Sequence, residues 1–197
     1  AAVRRAIGDD ILFAVDANCA YDRGSAIAVG RRLVENDLLW FEEPISSDDV
    51  EGYIEIRRAL NVRVSGAEQL RGHRAFRRFF QERALDIAQP DVSICGGFTE
   101  FRKIAAMASA NHVRVIPHMF GTAIRMAATL QLLANLPDVP HANVPFPALL
   151  EYDMSENALR TELAKNPVTH KDGVVTIPQE PGLGLEINRE LLSRYAA

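Results

Sequence analysis

Three acidic residues, Asp16, Glu42 and Glu68, recur at intervals of 26 positions, each closing a short apolar run. The rhythm continues with Asp91 after 23 positions, His118 after 27 and Glu151 after 33. A single acid in such a place reads as a helix N-cap or a surface carboxylate. Six groups in phase read instead as one functional side chain for every repeat of the chain. Three carboxylates converging on one mouth would repel each other, and the usual remedy is a hard cation that takes oxygen ligands. Mg2+ fits Asp16, Glu42 and Glu68 best because it keeps positions open for water or substrate oxygens, and Mn2+ could substitute. No cluster of cysteine or histidine argues for zinc. His118 closes the run Val-Arg-Val-Ile-Pro-His, whereas His73, His112, His141 and His170 fall in helices or loops. With Asp91 holding one imidazole nitrogen, the other becomes a general acid or base suited to neutral pH. Glu151 either starts the loop 152–154 as a plain surface charge or faces the pocket, protonated, as a donor to an oxyanion. Glu43 should point to the opposite face of its strand from Glu42. It and Asn18 are candidates to support the ligands from behind.

These groups need a scaffold that presents them together. Apolar runs of strand length occupy 11–18, 38–44, 62–68, 85–91, 113–118 and 148–153, and segments with helical periodicity occupy 25–36, 48–60, 73–82, 99–111 and 122–136. Strict alternation of buried strands with helices implies an α/β fold with parallel pairing through right-handed crossovers. Both an open doubly wound sheet and a closed barrel satisfy that pattern. A functional group at the end of nearly every strand favours the barrel, because an open sheet gathers ligands at a single switch point. About six βα units are visible, whereas a closed barrel takes eight strands and about 250 residues. The chain also opens mid-helix, at 1–7, so the first strands are expected upstream of residue 1. Residues 1–154 are read as the barrel portion. Residues 155–197 are read as a tail packing outside it, with a short helix over 155–163 and a turn at Asp172-Gly173. The Pro-Gly-Leu-Gly stretch at 181–184 fits no phosphate-binding fingerprint.

Composition narrows the partners. The chain of 197 residues is 48% hydrophobic and 24% charged, the range of a soluble globular domain. A net charge of −4 with scattered arginines gives no footprint for nucleic acid. No apolar run approaches the roughly 18 residues of a membrane span, so neither a membrane nor a signal peptide is expected and the location expected is cytoplasmic. Cys19 and Cys95 show no metal-type spacing and read as free thiols. The partner expected is a small molecule.

Taken in order, Val-Asp16-Ala-Asn18, Phe-Glu42-Glu43-Pro44, Ser-Gly-Ala-Glu68, Gln89-Pro90-Asp91 followed by Gly96-Gly97, Pro117-His118 and Leu150-Glu151 resemble the enolase superfamily, closest to its mandelate racemase subgroup. The motifs cover almost the whole chain. One departs from the pattern, with Ala67 between the glycine and Glu68. The resemblance implies that Asp16, Glu42 and Glu68 hold magnesium, that Asp91 and His118 form the catalytic dyad, and that Glu151 steadies an enolate oxygen. It implies a shared first step, in which a base removes the proton α to a carboxylate and the metal stabilises the enediolate. Acid-sugar dehydratases of this kind then expel a β-hydroxyl and yield a 2-keto-3-deoxy acid, the outcome expected here, whereas racemases of 2-hydroxy acids return the proton from the opposite face. A non-catalytic, ligand-binding barrel portion is a third reading. The resemblance further implies an upstream lysine base, an N-terminal capping domain against which the tail packs, and a homo-oligomer in the full-length form.

Overall fold

Strand and helix alternate because buried β-rich runs are separated by segments whose apolar residues recur at helical spacing. A computed structural model describes residues 1–136 and 147–195 of the chain, and His141 lies outside them. After α1 (Ala2–Ile7), which ends at Gly8 as expected, come β1 (Val15–Asp16), α2 (Arg23–Val34), β2 (Trp40–Glu42), α3 (Val50–Ala59), β3 (Arg63–Gly66), α4 (Gly72–Gln81), β4 (Ile87–Ala88), α5 (Gly97–Ala110), β5 (Arg114–Val115) and α6 (Ala123–Leu133). The five strands are parallel and lie side by side in chain order. That order never reverses, so the sheet has no topological switch point, and it runs as an arc of consecutive βα units.

The register does functional work. Asp16 pairs with Glu42 across β1 and β2, and Glu42 pairs with Ser65 across β2 and β3. Laterally paired residues share a face, so the first two acids of the series project on the same side of the sheet. Helix starts are fixed locally. Asp22 caps α2 through the Ser25 amide at 2.8 Å and Asp49 caps α3 through the Gly52 amide at 3.0 Å. Such caps satisfy donors that the first helical turn leaves free.

The core lies between sheet and helices. Phe41 and Val64 of the strands meet Tyr53 and Ile56 of α3, Phe76, Phe79 and Phe80 of α4, and Phe101 and Ile104 of α5, all buried. Tyr53 and Phe79 meet edge to face with centroids 5.3 Å apart, a geometry favoured by the ring quadrupoles. Truncation of Phe76 is expected to leave a cavity that these rigid neighbours cannot close. Phe76→Ala should therefore cost about 3–5 kcal/mol, read as a shift in the denaturation midpoint of the complete gene product.

Two strand expectations need correction. Regular pairing is confined to two to four residues of each apolar run; in the first run Ile11 and Leu12 precede β1 and are exposed, and among the described residues β1 is the edge strand of the sheet. The run 148–153 is not a strand: residues 147–154 form no ladder pairing and no helix. Pro147 removes a ladder donor at its start, and what joins this segment to the chain after β5 is a side-chain bond, Met119 N–H to Glu151 Oε2 at 2.7 Å. Five βα units are present among the described residues rather than six.

The tail begins with α7 (Ala158–Thr161), shorter than the 155–163 expected, continues through an antiparallel hairpin of β6 (His170–Lys171) and β7 (Val174–Val175), and ends in α8 (Arg189–Tyr195). The hairpin turns on Asp172 and Gly173, both at positive φ, as a two-residue turn requires. Leu159, Leu163, Ala164 and Leu191 of the tail pack with Ala123 of α6, and Tyr152, Val168 and Val175 pack with Met119, Met126 and Leu130. No described helix is long and apolar enough to cross a membrane.

Candidate active site

Asp16 and Glu42 are the last residues of β1 and β2, Glu68 lies two residues beyond β3, and Asp91 and His118 each lie three residues beyond β4 and β5. All five therefore stand at the C-terminal edge of the sheet. The tightest contact is that of His118 with Asp91, Nδ1 to Oδ2 at 2.6 Å, with Asp91 fully buried. The opposite ring nitrogen, Nε2, lies 3.4 Å from Glu68 Oε2. Asp91 is held on its other side as well, since its Oδ1 accepts from the Ser93 amide at 2.7 Å and the Ser93 hydroxyl at 2.6 Å. Burial alone would raise the Asp91 pKa, yet the bonds from His118 and Ser93 and the charge of Arg125 hold it below the ordinary value. For His118, burial disfavours the imidazolium, but Asp91, Glu68 and Glu151 outweigh it and carry the pKa up to about 9. The dyad is thus an ionised carboxylate fixing an imidazolium whose second nitrogen faces the mouth beside Glu68.

The three candidate ligands share the mouth but do not close on one another. Among the described residues, no group of three or more acidic, histidine or cysteine side chains is gathered as a metal-binding cluster. Each acid instead satisfies itself locally. Asp16 Oδ1 accepts from the Asn18 amide at 2.7 Å, Glu42 Oε2 from the Trp40 indole at 2.8 Å, and Glu68 Oε1 from the Gln69 amide at 3.0 Å. They nevertheless feel one another. Burial first, then Asp16 and Glu151, push Glu42 up to about 7, with Gln89 and Trp40 opposing. Burial raises Glu68, with His118 opposing and Glu43 and Asp16 adding to the rise. Carboxylates that destabilise one another's ionised forms, with only oxygen donors, are the donor set that a hard divalent cation relieves. The residues present fit magnesium on that ground.

The residue Glu151 is exposed as a whole, but its carboxyl is partly desolvated, which raises its pKa; the Met119 amide and His118 oppose the rise, and Asp16 and Asp91 add to it. Asn18 contributes its backbone to Asp16, from a left-handed conformation with φ 46°. Glu43 is buried, accepts from Cys19 Sγ at 3.2 Å through Oε2, and leaves Oε1 without a partner. It lies beside Tyr53 and the backbone of Gly66, where a Cβ would lie 2.8 Å from the Tyr53 hydroxyl and 3.2 Å from Glu43 Cγ. Gly66 at φ 147° and Ala67 at φ 75° turn the chain so that Glu68 returns to the mouth. The additional Ala67 thus occupies a left-handed position, strained for a residue with a Cβ.

A family model described as "Enolase C-terminal domain-like" matches residues 1–191. This chain belongs to the enolase superfamily. Among curated members, D-galactarolactone cycloisomerase of Agrobacterium fabrum is 38% identical over 195 residues, covering 99% of this chain and 52% of that protein. Among solved members, the 3,6-anhydro-D-galactonate cycloisomerase of Zobellia galactanivorans superposes with TM-score 0.90 at 38% identity, over 98% of this chain and 53% of that one. L-talarate/galactarate dehydratase of Salmonella typhimurium LT2, liganded with Mg and L-lyxarohydroxamate, superposes with TM-score 0.83 at 29% identity, over 98% of this chain and 45% of that one. The chain spans about half the length of the curated relatives it matches. Within the superfamily, its relatives are sugar-acid dehydratases, cycloisomerases and racemase-like proteins.

Four further residues that touch these groups were not anticipated by the strand-end rhythm: Trp40 and Gln89 on Glu42, and Ser93 and Arg125 on Asp91. Ser93 carries a local signal, since a serine two residues after an aspartate favours a turn closed by the carboxylate. Arg125 lies 34 positions after Asp91 and comes from the first turn of α6, so nothing local announces it.

Proposed function

We propose that this chain carries the metal and acid/base half of an enzyme that removes the proton α to the carboxylate of a sugar acid and then expels the oxygen on the β-carbon. The observation that carries this reading is the His118–Asp91 pair, with Nε2 directed to the mouth beside Glu68. Asp16, Glu42 and Glu68 would hold Mg2+, with Mn2+ as a substitute. The bound ion would supply positive charge to the oxygens of the substrate carboxylate as negative charge develops there. Asp91 fixes the imidazole tautomer so that Nε2 exchanges a proton with substrate, either taking it from the α-carbon or giving it to the departing oxygen. Trp40 and Gln89 orient the Glu42 carboxylate, as outer partners of a ligand commonly do.

When the departing β-oxygen is a hydroxyl, the reaction is a dehydration to a 2-keto-3-deoxy acid. When it belongs to a ring, the ring opens and the keto product is an isomer of the substrate. The second outcome is favoured by the 38% identity to a cycloisomerase across nearly the whole chain. One assay separates them. The complete gene product is incubated with Mg2+ and a panel containing galactarate, D-galactonate, D-gluconate and D-galactarolactone, and keto acid and product mass are measured. Loss of one water identifies dehydration, and unchanged mass with a new keto group identifies cycloisomerisation. Inversion at the α-carbon with no keto product would overturn the reading in favour of a racemase.

Glu151 is read as a protonated donor to the enolate oxygen. Glu151→Gln, which still donates, is then expected to keep kcat within about tenfold, whereas Glu151→Leu should lose on the order of 10²–10³. Equal losses in both would sink the donor role.

A further inference from the structure

We infer that Arg125 is a positioning residue for the dyad, holding Asp91 and the loop 118–122 in one arrangement from the first turn of α6. The inference rests on His118 and Asp91 acting as the pair proposed above. Arg125 Nη1 lies 3.1 Å from Asp91 Oδ2, the same oxygen that accepts from His118 at 2.6 Å, and it also donates to the carbonyl of Phe120. One guanidinium thus ties the buried carboxylate to the backbone two residues after the imidazole it orients. Neighbouring residues of that loop are committed too. The Met119 amide donates to Glu151 at 2.7 Å, and the Gly121 carbonyl accepts from Asn157 at 3.2 Å. Gly121 sits at φ 135°, where a side chain is strained, and a Cβ there would touch the guanidinium at 3.7 Å. The loop therefore lies directly on the Arg125 side chain.

Its position in α6 argues that this contact is what the arginine is for. Thr122 caps the helix and Arg125 is the third helical residue, where a capping box would place glutamate or glutamine. A cation in the first turn opposes the helix dipole. It is retained where a fully buried carboxylate, whose other oxygen is already taken by Ser93, needs a partner of fixed charge and planar geometry. An arginine serving only α6 would not need to reach back to Asp91.

The test uses the complete gene product, with galactarate and Mg2+ for kinetics and 15N-labelled histidine for a readout that needs neither. In the parent, the Nδ1 proton of His118, assigned by its absence in His118→Asn, is expected to be protected from exchange with water. Arg125→Met should lose that protection and lower kcat on the order of 10–100-fold, with KM changed by less than about threefold. Arg125→Lys keeps the charge without the planar fork and should fall between. A merely structural arginine would lower the melting temperature of Arg125→Met while leaving kcat and the protected proton as in the parent, and that result, or a loss confined to KM, overturns the inference. If Arg125→Met does not fold, Arg125→Gln carries the same two readouts. If the parent turns over no sugar acid, the proposed reaction fails, and protection of the His118 proton in the variants still decides the role of Arg125.

Discussion

Glu42→Gln is expected to reduce magnesium-dependent turnover by about three orders of magnitude or more, while leaving the protein folded. A divalent ion contributes several kcal/mol of charge stabilisation in such chemistry, and each 1.4 kcal/mol is about tenfold in rate. An amide oxygen in place of a carboxylate removes a full negative charge from the central acid of the series. Stability should not suffer, because Glu42 is buried and is already pushed up to about 7 by that burial and by the charges of Asp16 and Glu151. The neutral isostere removes that repulsion and keeps an oxygen acceptor for the Trp40 indole. Magnesium titration by calorimetry together with turnover checks the expectation. Parental affinity and parental rate in Glu42→Gln would remove Glu42 from the ligand set.

His118→Asn is expected to lower kcat by about 10²–10⁴-fold, the contribution of a positioned general acid or base. Magnesium and substrate binding should persist. Asp91 keeps the Ser93 and Arg125 contacts when the imidazole is gone, so no buried carboxylate is orphaned and the site need not collapse. The distinguishing result is a kcat loss with binding retained. If His118→Asn instead abolished binding of both metal and substrate, the histidine would be a structural member of the site.

The strand-end groups were legible in the sequence because each βα unit repeats the same physical demand, a buried apolar run that ends where the chain meets solvent. The neighbours of Asp91 illustrate the limit. Asp91 and His118 belong to consecutive units, so their spacing pointed to a meeting that parallel pairing of β4 and β5 then supplies. Arg125 was invisible because it reaches back from a helix, where an arginine ordinarily reads as a solvated surface charge. Glu151 was legible as a group but not by its element. Its segment was read as a strand from apolar content, whereas it makes no ladder pairing and is held by the Met119 amide on Glu151 and by packing of Leu150 and Tyr152 against Met119 and its neighbours. Glu43 follows the last residue of β2 at φ 36°, outside the regular strand, so alternation along the strand does not fix where it points. The mutual distances of Asp16, Glu42 and Glu68 were not legible, since each carboxylate has a local donor that sequence spacing does not reveal.

The central claim is that the site removes the hydrogen α to a carboxylate, with His118 moving the proton. It is tested most directly by incubating the complete gene product and Mg2+ with the sugar-acid panel in D2O and following the α-proton by NMR. The account predicts that at least one sugar acid loses its α-proton signal, in step with formation of keto acid, and that His118→Asn and Glu42→Gln leave it unchanged. A product that retains the original α-hydrogen, or keto acid formed at the parental rate in His118→Asn, would contradict it.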